Sequence, residues 1–167
     1  MSQYSHLKRF ITDVKFGGKK EISIPYVTSC HTVYFNAQHL FLQLKPMERC
    51  YFDFLVESSQ KDGFVLLDKV LKDQFLEHLV KVGGGKIKLP SPKGLHNTTV
   101  KLVDLGLLIR TTKKAEYYIN PKYVCVTAPS KRMELIEKMF RLAEQGLIIP
   151  SPLLDKPIEE YFGDPEK

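Results

Sequence analysis

The sequence has few cysteines and no long hydrophobic run, and both absences narrow the class of protein. The three cysteines, Cys30, Cys50 and Cys125, lie far apart and form no Cys-x-x-Cys pair. An odd number of scattered cysteines argues against a disulfide framework, so we expect free thiols in a reducing compartment. No apolar run approaches the roughly 18 residues of a membrane helix, and residues 1–10 lack a signal-peptide core. We expect a cytoplasmic protein with no membrane partner.

The sequence also lacks the motifs that mark many enzymes and metal sites. Its histidines include no His-x-His pair, so Tyr117-Tyr118 is not expected to act as a metal-assisted nucleophile. Cys30-His31 and His39 lack the spaced partners of a zinc site. Gly83-Gly84-Gly85-Lys86 does not have the Walker spacing of a phosphate loop, and no nucleophile elbow is present. We therefore expect no enzyme activity, no catalytic residue, no metal and no cofactor, although a Ser/His/Asp set from distant positions stays open.

The charge is concentrated in one quarter of the chain. The 167 residues carry a net charge of +6, with 43% hydrophobic and 26% charged residues, values typical of one globular domain. Residues 81–122 contain nine cations and two acids, a net +7, so the remainder sums to −1. Such a basic segment is typical of a nucleic-acid footprint. A merely solvated basic surface is the alternative.

Periodicity and turn residues predict an α+β protein with four regions. Residues 1–45 form a β-rich extension, with a hairpin (11–16 and 21–24) around Gly17-Gly18 and a short strand at 33–35. Residues 46–126 form the main domain, 127–146 a C-terminal helix, and 147–167 a Pro-rich tail. The predicted elements of the main domain are a helix at 46–58, a strand at 64–66, helices at 69–82 and 92–105 capped by Asp68 and Ser91, and strands at 108–111 and 116–119.

The C-terminal helix and the tail each allow two interpretations. Ser130 is predicted to cap a helix at 131–145, whose apolar side consists of Met133, Ile136, Phe140 and Ala143. This helix either completes the core or forms a homodimer through Ile136, Met139 and Phe140. The tail has five acids and two lysines in 155–167. It either wraps the domain or docks on a partner protein, and its acidity disfavours contact with nucleic acid.

The helix at 92–105 is the strongest candidate for a binding element. Leu95, Thr99 and Leu102 fall on one side, and its polar residues, Lys93, Asn97, Lys101 and Asp104, fall on the other. Val100, near the edge of the polar side, is expected to cover a neighbouring element. In helix-turn-helix proteins the first two turns of such a helix read base edges in the major groove. The alternative is an ordinary surface helix, whose outer side is polar by default.

The following hairpin favours the binding interpretation, because its turn carries Lys113 and Lys114 and its first strand carries Arg110. Phosphate contacts of this kind position a protein on DNA without reading sequence. The order helix, strand, helix, helix, hairpin is that of a winged helix-turn-helix domain. The predicted DNA-binding residues are Lys93, His96, Asn97, Thr98, Lys101, Arg110, Lys113 and Lys114.

Residues 95–124, LHNTTVKLVDLGLLIRTTKKAEYYINPKYV, resemble the end of the winged-helix domain of RepL-type plasmid replication initiators. The similar features are an amphipathic helix ending in Gly-Leu-Leu-Ile, a basic wing, and an aromatic strand leading into Asn-Pro. The link at 83–89 is longer than in a compact helix-turn-helix. The resemblance implies sequence-specific binding of double-stranded DNA at a plasmid or mobile-element origin in a bacterial or phage-infected cell, and recruitment of host replication proteins. A replication or transcription partner would then be what the tail docks on. There are two alternatives. One is a winged-helix transcriptional regulator, and the other is a non-enzymatic phage or mobile-element protein whose winged helix binds protein.

Overall fold

The computed structural model describes residues 10–13, 20–23 and 31–149. The chain divides into two units, residues 1–30 and 31–167. In the first unit, strand β1 (Phe10–Asp13) pairs antiparallel with β2 (Lys20–Ser23), and Phe10 lies opposite Ser23. The predicted N-terminal hairpin is therefore confirmed with slightly different bounds, while its Gly17-Gly18 turn lies outside the described residues.

Residues 31–45 are part of the second unit. Strand β3 (Thr32–Val33) pairs antiparallel with β7 (Val124–Cys125), and a 3₁₀ turn (Phe35–Ala37) leads into the short helix α1 (Gln38–Phe41). Ala37 and Leu40 are buried in the core. Because of this pairing and burial, the boundary between the units falls after Cys30 rather than after residue 45.

The central elements lie where the sequence predicts them. They are α2 (Pro46–Ser58), β4 (Phe64–Leu66), α3 (Lys69–Gly83), α4 (Pro92–Asp104), β5 (Leu108–Arg110) and β6 (Glu116–Ile119). Two helix starts are specified locally: the Asp68 carboxylate accepts from the Leu71 N–H at 2.8 Å, and Ser91 Oγ accepts from the Gly94 N–H at 3.1 Å. Within the described part of the chain, each helix is too short or too polar to span a bilayer.

The strands β4, β6 and β5 form an antiparallel sheet in that order. After the last helix, residues 147–149 return to the outer edge of β5. The Ile149 N–H donates to the Arg110 carbonyl at 2.9 Å, and the Thr112 N–H donates to the Leu147 carbonyl at 3.0 Å. Residues 147–149 therefore form a short antiparallel bridge at the edge of the sheet, whereas the sequence predicts them as part of the tail.

Apolar side chains are buried on both faces of this sheet. Leu108 and Ile119 belong to the main core, together with the buried sides of α2, α3 and α4. Ile109, the next residue after Leu108, belongs to a second cluster with Met139 and Ile148. Consecutive residues of a strand point to opposite faces, so helix α5 (Arg132–Glu144) packs on the face away from α4.

The structure corrects the predicted face and start of α5. Its buried residues are Leu135, Ile136 and Met139, whereas Met133 is 41% exposed. A 3₁₀ turn (Pro129–Lys131) precedes the helix, and no side chain caps it, so Ser130 is not the cap. Since Ile136 and Met139 are already buried within the chain, they are not available for the predicted homodimer contact.

Candidate nucleic-acid interface

Helix α4 is fixed to the core by its inner side. Leu95 and Leu102 are buried, and so is Thr99 between them. Thr99 Oγ1 donates to the Leu95 carbonyl at 2.9 Å and lies 3.5 Å from the Tyr51 hydroxyl on α2. Because the Thr99 proton is used within α4, Tyr51 is the donor across the two helices. The inner side of α4 is therefore held by packing and by a hydrogen bond.

The outer side of α4 exposes three of the predicted residues in its first two turns: Lys93, His96 and Asn97. Val100 is 44% exposed and continues this side toward Asp104. The expectation that Val100 covers a neighbouring element is therefore wrong. Thr98 is half-buried, and its hydroxyl donates to the Gly94 carbonyl at 3.0 Å. The proton of this hydroxyl group is therefore already used within the helix. The accessible side is positive at its start and carries one acid near its end.

Lys101 faces α2 rather than lying with Asn97 on the outer side. Its Nζ is 2.6 Å from Glu48 Oε2, and Glu48 also accepts from the Lys45 N–H at 2.8 Å. Burial by itself raises the pKa of Glu48, but the hydrogen bonds from Lys101 and Lys45 lower that pKa below its usual value. Glu48 is therefore held as a carboxylate, and Lys101 joins α4 to the start of α2.

The turn between β5 and β6 presents Lys113 and Lys114 on a well-anchored backbone. Thr111 Oγ1 accepts from the Lys113 N–H at 3.1 Å and donates to the Lys113 carbonyl at 3.2 Å. Ala115 adopts φ 65°, and its carbonyl accepts from the Leu67 N–H at 2.7 Å. Both lysine side chains are exposed, and neither forms an ion pair within the described part of the chain. A fixed turn with two exposed ammonium groups is suited to phosphate oxygens.

The link between α3 and α4 adds two cations that the sequence analysis did not select. Lys86 and Lys88 are exposed in this link, directly before the start of α4. Gly84 and Gly85, with φ 56° and 75°, turn the chain out of α3. In the sequence, only their position in the basic segment indicates that these lysines could contribute to the site, because a link has no helical or strand periodicity from which their exposure could be predicted.

The exposed cations of the basic segment are the candidate phosphate contacts. Seven of the nine cations of residues 81–122 are exposed: Lys81, Lys86, Lys88, Lys93, Arg110, Lys113 and Lys114. The other two have partners, since Lys101 pairs with Glu48 and Lys122 lies 5.4 Å from the Tyr123 ring centroid. The predicted Arg110 is exposed on β5, and its carbonyl binds the 147–149 strand.

The remaining chemistry of the described residues is sparse. No group of three His, Cys, Asp or Glu side chains within 10–13, 20–23 and 31–149 could hold a metal ion. Cys50 and Cys125 are free thiols, and Cys30 lies outside these ranges. Comparison of the chain with models of protein families, with curated proteins and with solved structures finds no match.

Proposed function

We propose that the protein binds double-stranded DNA sequence-specifically, with α4 in the major groove and the β5–β6 turn on the phosphate backbone. The observation that carries the proposal is the accessible side of α4, where Lys93, His96 and Asn97 are exposed in the first two turns. Lysine can bind the acceptors of guanine, and asparagine can bind adenine with two hydrogen bonds. Val100, on the same side, suits a thymine methyl group.

The arrangement of elements supports a winged helix-turn-helix interpretation. Helices α3 and α4 follow one another, and the antiparallel strands β5 and β6 come directly after α4. In this class the second helix of the pair enters the groove, and the hairpin contacts the backbone. The link of residues 84–91 is longer than a compact turn, and its Lys86 and Lys88 add phosphate contacts at the start of α4.

The biological role follows from the resemblance of residues 95–124 to RepL-type initiators. On this basis the protein marks a plasmid or mobile-element origin and recruits host replication proteins. A transcriptional regulator of the same fold is the alternative. The two roles differ in where the preferred site lies, because an initiator binds within an origin and a regulator binds over a promoter.

The test is a selection of the preferred duplex from a random pool, followed by anisotropy titrations of that duplex and of a random one. Asn97→Ala should lose about 1–3 kcal/mol of the preference between them, the typical worth of a bidentate base contact. Lys93→Ala should also weaken binding. Lys101→Ala is the matched control and should have a smaller effect, because its ammonium group already pairs with Glu48 at 2.6 Å.

Two outcomes would contradict the proposal. If Asn97→Ala weakens binding to both duplexes equally, α4 does not read bases through this residue. If a folded sample binds no duplex even at low ionic strength, the accessible side of α4 has a different partner, and a protein-binding winged helix becomes the better interpretation.

A further inference from the structure

The end of α3 and the link to α4 expose four apolar side chains within ten residues. Their exposed fractions are 48% for Val80, 70% for Val82, 41% for Ile87 and 42% for Leu89. The chain turns back here, since the Lys86 N–H donates to the Gly83 carbonyl at 3.1 Å. Ile87 lies so close to Gly83 that a Cβ there would be 2.5 Å from Ile87 Cδ1. We name these four residues the α3–α4 apolar surface. Val80 and Val82 lie on different sides of the end of α3, so this surface surrounds the end of the helix and its link; exposed apolar groups gathered in one segment mark interaction sites.

The same segment is positively charged. Lys81, Lys86 and Lys88 are exposed between and beside the four apolar residues. None of the three forms an ion pair with another described residue. The complementary partner is therefore a segment that combines apolar side chains with carboxylates.

Residues 150–167, the distal tail, lie outside the described residues, and their sequence has this composition. They contain five acids and two lysines, and their large apolar residues are Leu153, Leu154, Ile158, Tyr161 and Phe162. The distal tail begins directly after Ile149, which is bound to the edge of β5. Its 18 residues can span up to about 60 Å when extended. A folded domain of the size of residues 31–149 is on the order of 35 Å across, so the distal tail can reach any side of its own unit.

We propose that the distal tail binds the α3–α4 apolar surface of its own chain. Its leucine and aromatic side chains cover the four apolar residues, and its carboxylates lie beside Lys81, Lys86 and Lys88. Attachment to the same chain favours this binding, because short flexible connections give effective concentrations of about millimolar.

A consequence for DNA binding rests on the proposed function. Lys86 and Lys88 lie next to the start of α4, so the distal tail and DNA phosphates compete for the same cations. If the tail is bound in about nine tenths of the molecules, the apparent Kd for DNA rises about tenfold. The distal tail is then an intrachain inhibitor of DNA binding.

The test uses the full chain, which contains no tryptophan, so Phe162→Trp introduces a single reporter. The emission of this tryptophan in the full chain should be blue-shifted and less quenched by acrylamide than its emission in a free peptide of residues 150–167 with the same substitution. Val82→Asp with Ile87→Asp should return both readings to those of the peptide. Phe35→Asp with Leu42→Asp, at residues 88% and 87% exposed on other elements, is the matched control and should leave the blue shift in place.

A second variant leaves the folded domain unaltered. Leu153→Ser with Leu154→Ser retains the tail charge and should abolish the blue shift while lowering the Kd for DNA. The proposal is overturned if the Phe162→Trp chain has the same emission as the free peptide. It is also overturned if the Val82 and Ile87 substitutions leave the blue shift unaffected. A blue shift that grows with protein concentration would also overturn it, because the tail would then bind a second copy. Since emission is read without DNA, failure of tail binding and failure of DNA binding are separate results.

Discussion

Asn120 illustrates how a single buried amide connects distant parts of the sheet. It is 5% exposed, and its Nδ2 donates to the Gly106 carbonyl at 2.8 Å, while its Oδ1 accepts from the Lys122 N–H at 3.0 Å. The turn after α4 is thereby tied to the end of β6. In the sequence, Asn120-Pro121 indicates only the end of a hairpin, because Gly106 is 14 residues away.

Replacing Asn120 with alanine should lower the free energy of unfolding by about 1–3 kcal/mol, because the buried Gly106 carbonyl loses its donor. Urea unfolding followed by circular dichroism measures this change. Asn97→Ala is the matched control: that amide is exposed on α4, and stability should change by no more than about 0.5 kcal/mol. Equal stabilities of the two variants would show that the Asn120 bonds contribute nothing.

The contacts of Asp62 indicate that the free energy of unfolding decreases at acid pH. Its Oδ2 lies 2.6 Å from Lys138 Nζ, and its Oδ1 accepts from the Phe64 N–H at 3.0 Å. Burial alone raises the pKa of this carboxyl group, but the bonds from Lys138 and Phe64 outweigh burial and lower its pKa below the usual value of an aspartate. A carboxyl group with a lowered folded-state pKa contributes stability above its unfolded-state pKa. That contribution is lost as the pH falls through the folded-state value.

Asp62→Asn should therefore reduce the loss of unfolding free energy between about pH 6 and pH 2, the range over which carboxylates are protonated. Lys138→Met should have the same effect, because it removes the group that lowers the pKa of Asp62. The measurement is the urea midpoint as a function of pH. If the urea midpoint of both variants falls with decreasing pH as steeply as that of the unaltered protein, protonation of Asp62 is not linked to folding.

At the scale of elements, α4 shows which properties are local. Its Ser91 cap, its start at Pro92 and its buried Leu95, Thr99 and Leu102 could all be predicted from residues inside the helix. The orientation of Lys101 could not, because its partner Glu48 is 53 residues away on α2. Helical periodicity separates an inner from an outer side, but it does not indicate which edge a neighbouring helix covers.

The strand at 147–149 was missed for a related reason. Three residues are too few for a period, and their partners, Arg110 to Thr112, lie in a distant part of the sequence. The buried side of α5 could not be predicted from its apolar pattern, because Met133 and Met139 each fit an apolar side of the helix, but not the same one. Only the position of the sheet determines that Met139 is buried and Met133 is 41% exposed.

Two neighbouring isoleucines test whether this strand is part of the fold. Ile148 is 2% exposed and packs with Ile109 and Met139, whereas Ile149 is 46% exposed. Ile148→Ala should lower the free energy of unfolding by about 2–5 kcal/mol through lost burial and a cavity. Ile149→Ala, with the same chemical change, should cost much less. Thermal unfolding compares them directly, and equal losses would mean that the strand does not pack as described.

At the scale of the whole molecule, packing on both faces of the sheet determines which charges are accessible. Helices α2, α3 and α4 contribute to the main core, and α5 packs over Ile109 on the opposite face. The basic segment could be recognised from sequence, and so could most of the candidate site on α4 and the β5–β6 turn. The structure separates seven exposed cations from Lys101 and Lys122, which have partners inside the fold.

This division leads to a quantitative expectation for DNA binding. If Lys86, Lys88, Lys113 and Lys114 alone contact phosphates, the slope of log K against log salt is about −3.6; if all seven exposed cations do, it is about −6.3. Between about 50 and 200 mM salt, affinity for a random duplex should therefore fall by roughly 150-fold to 6,000-fold. Anisotropy titrations across a salt series measure this slope.

The double variant Lys113→Ala with Lys114→Ala should make the slope shallower by about 2, with an equal loss of affinity for all duplexes. Lys61→Ala with Lys131→Ala removes the same charge at two exposed lysines outside the basic segment, so it is the matched control and should leave the slope unaltered. If both pairs change the slope equally, net charge rather than a defined surface governs binding. If the first pair leaves the slope unchanged, the β5–β6 turn does not contact DNA, and the α3–α4 link with Lys86 and Lys88 becomes the principal phosphate contact.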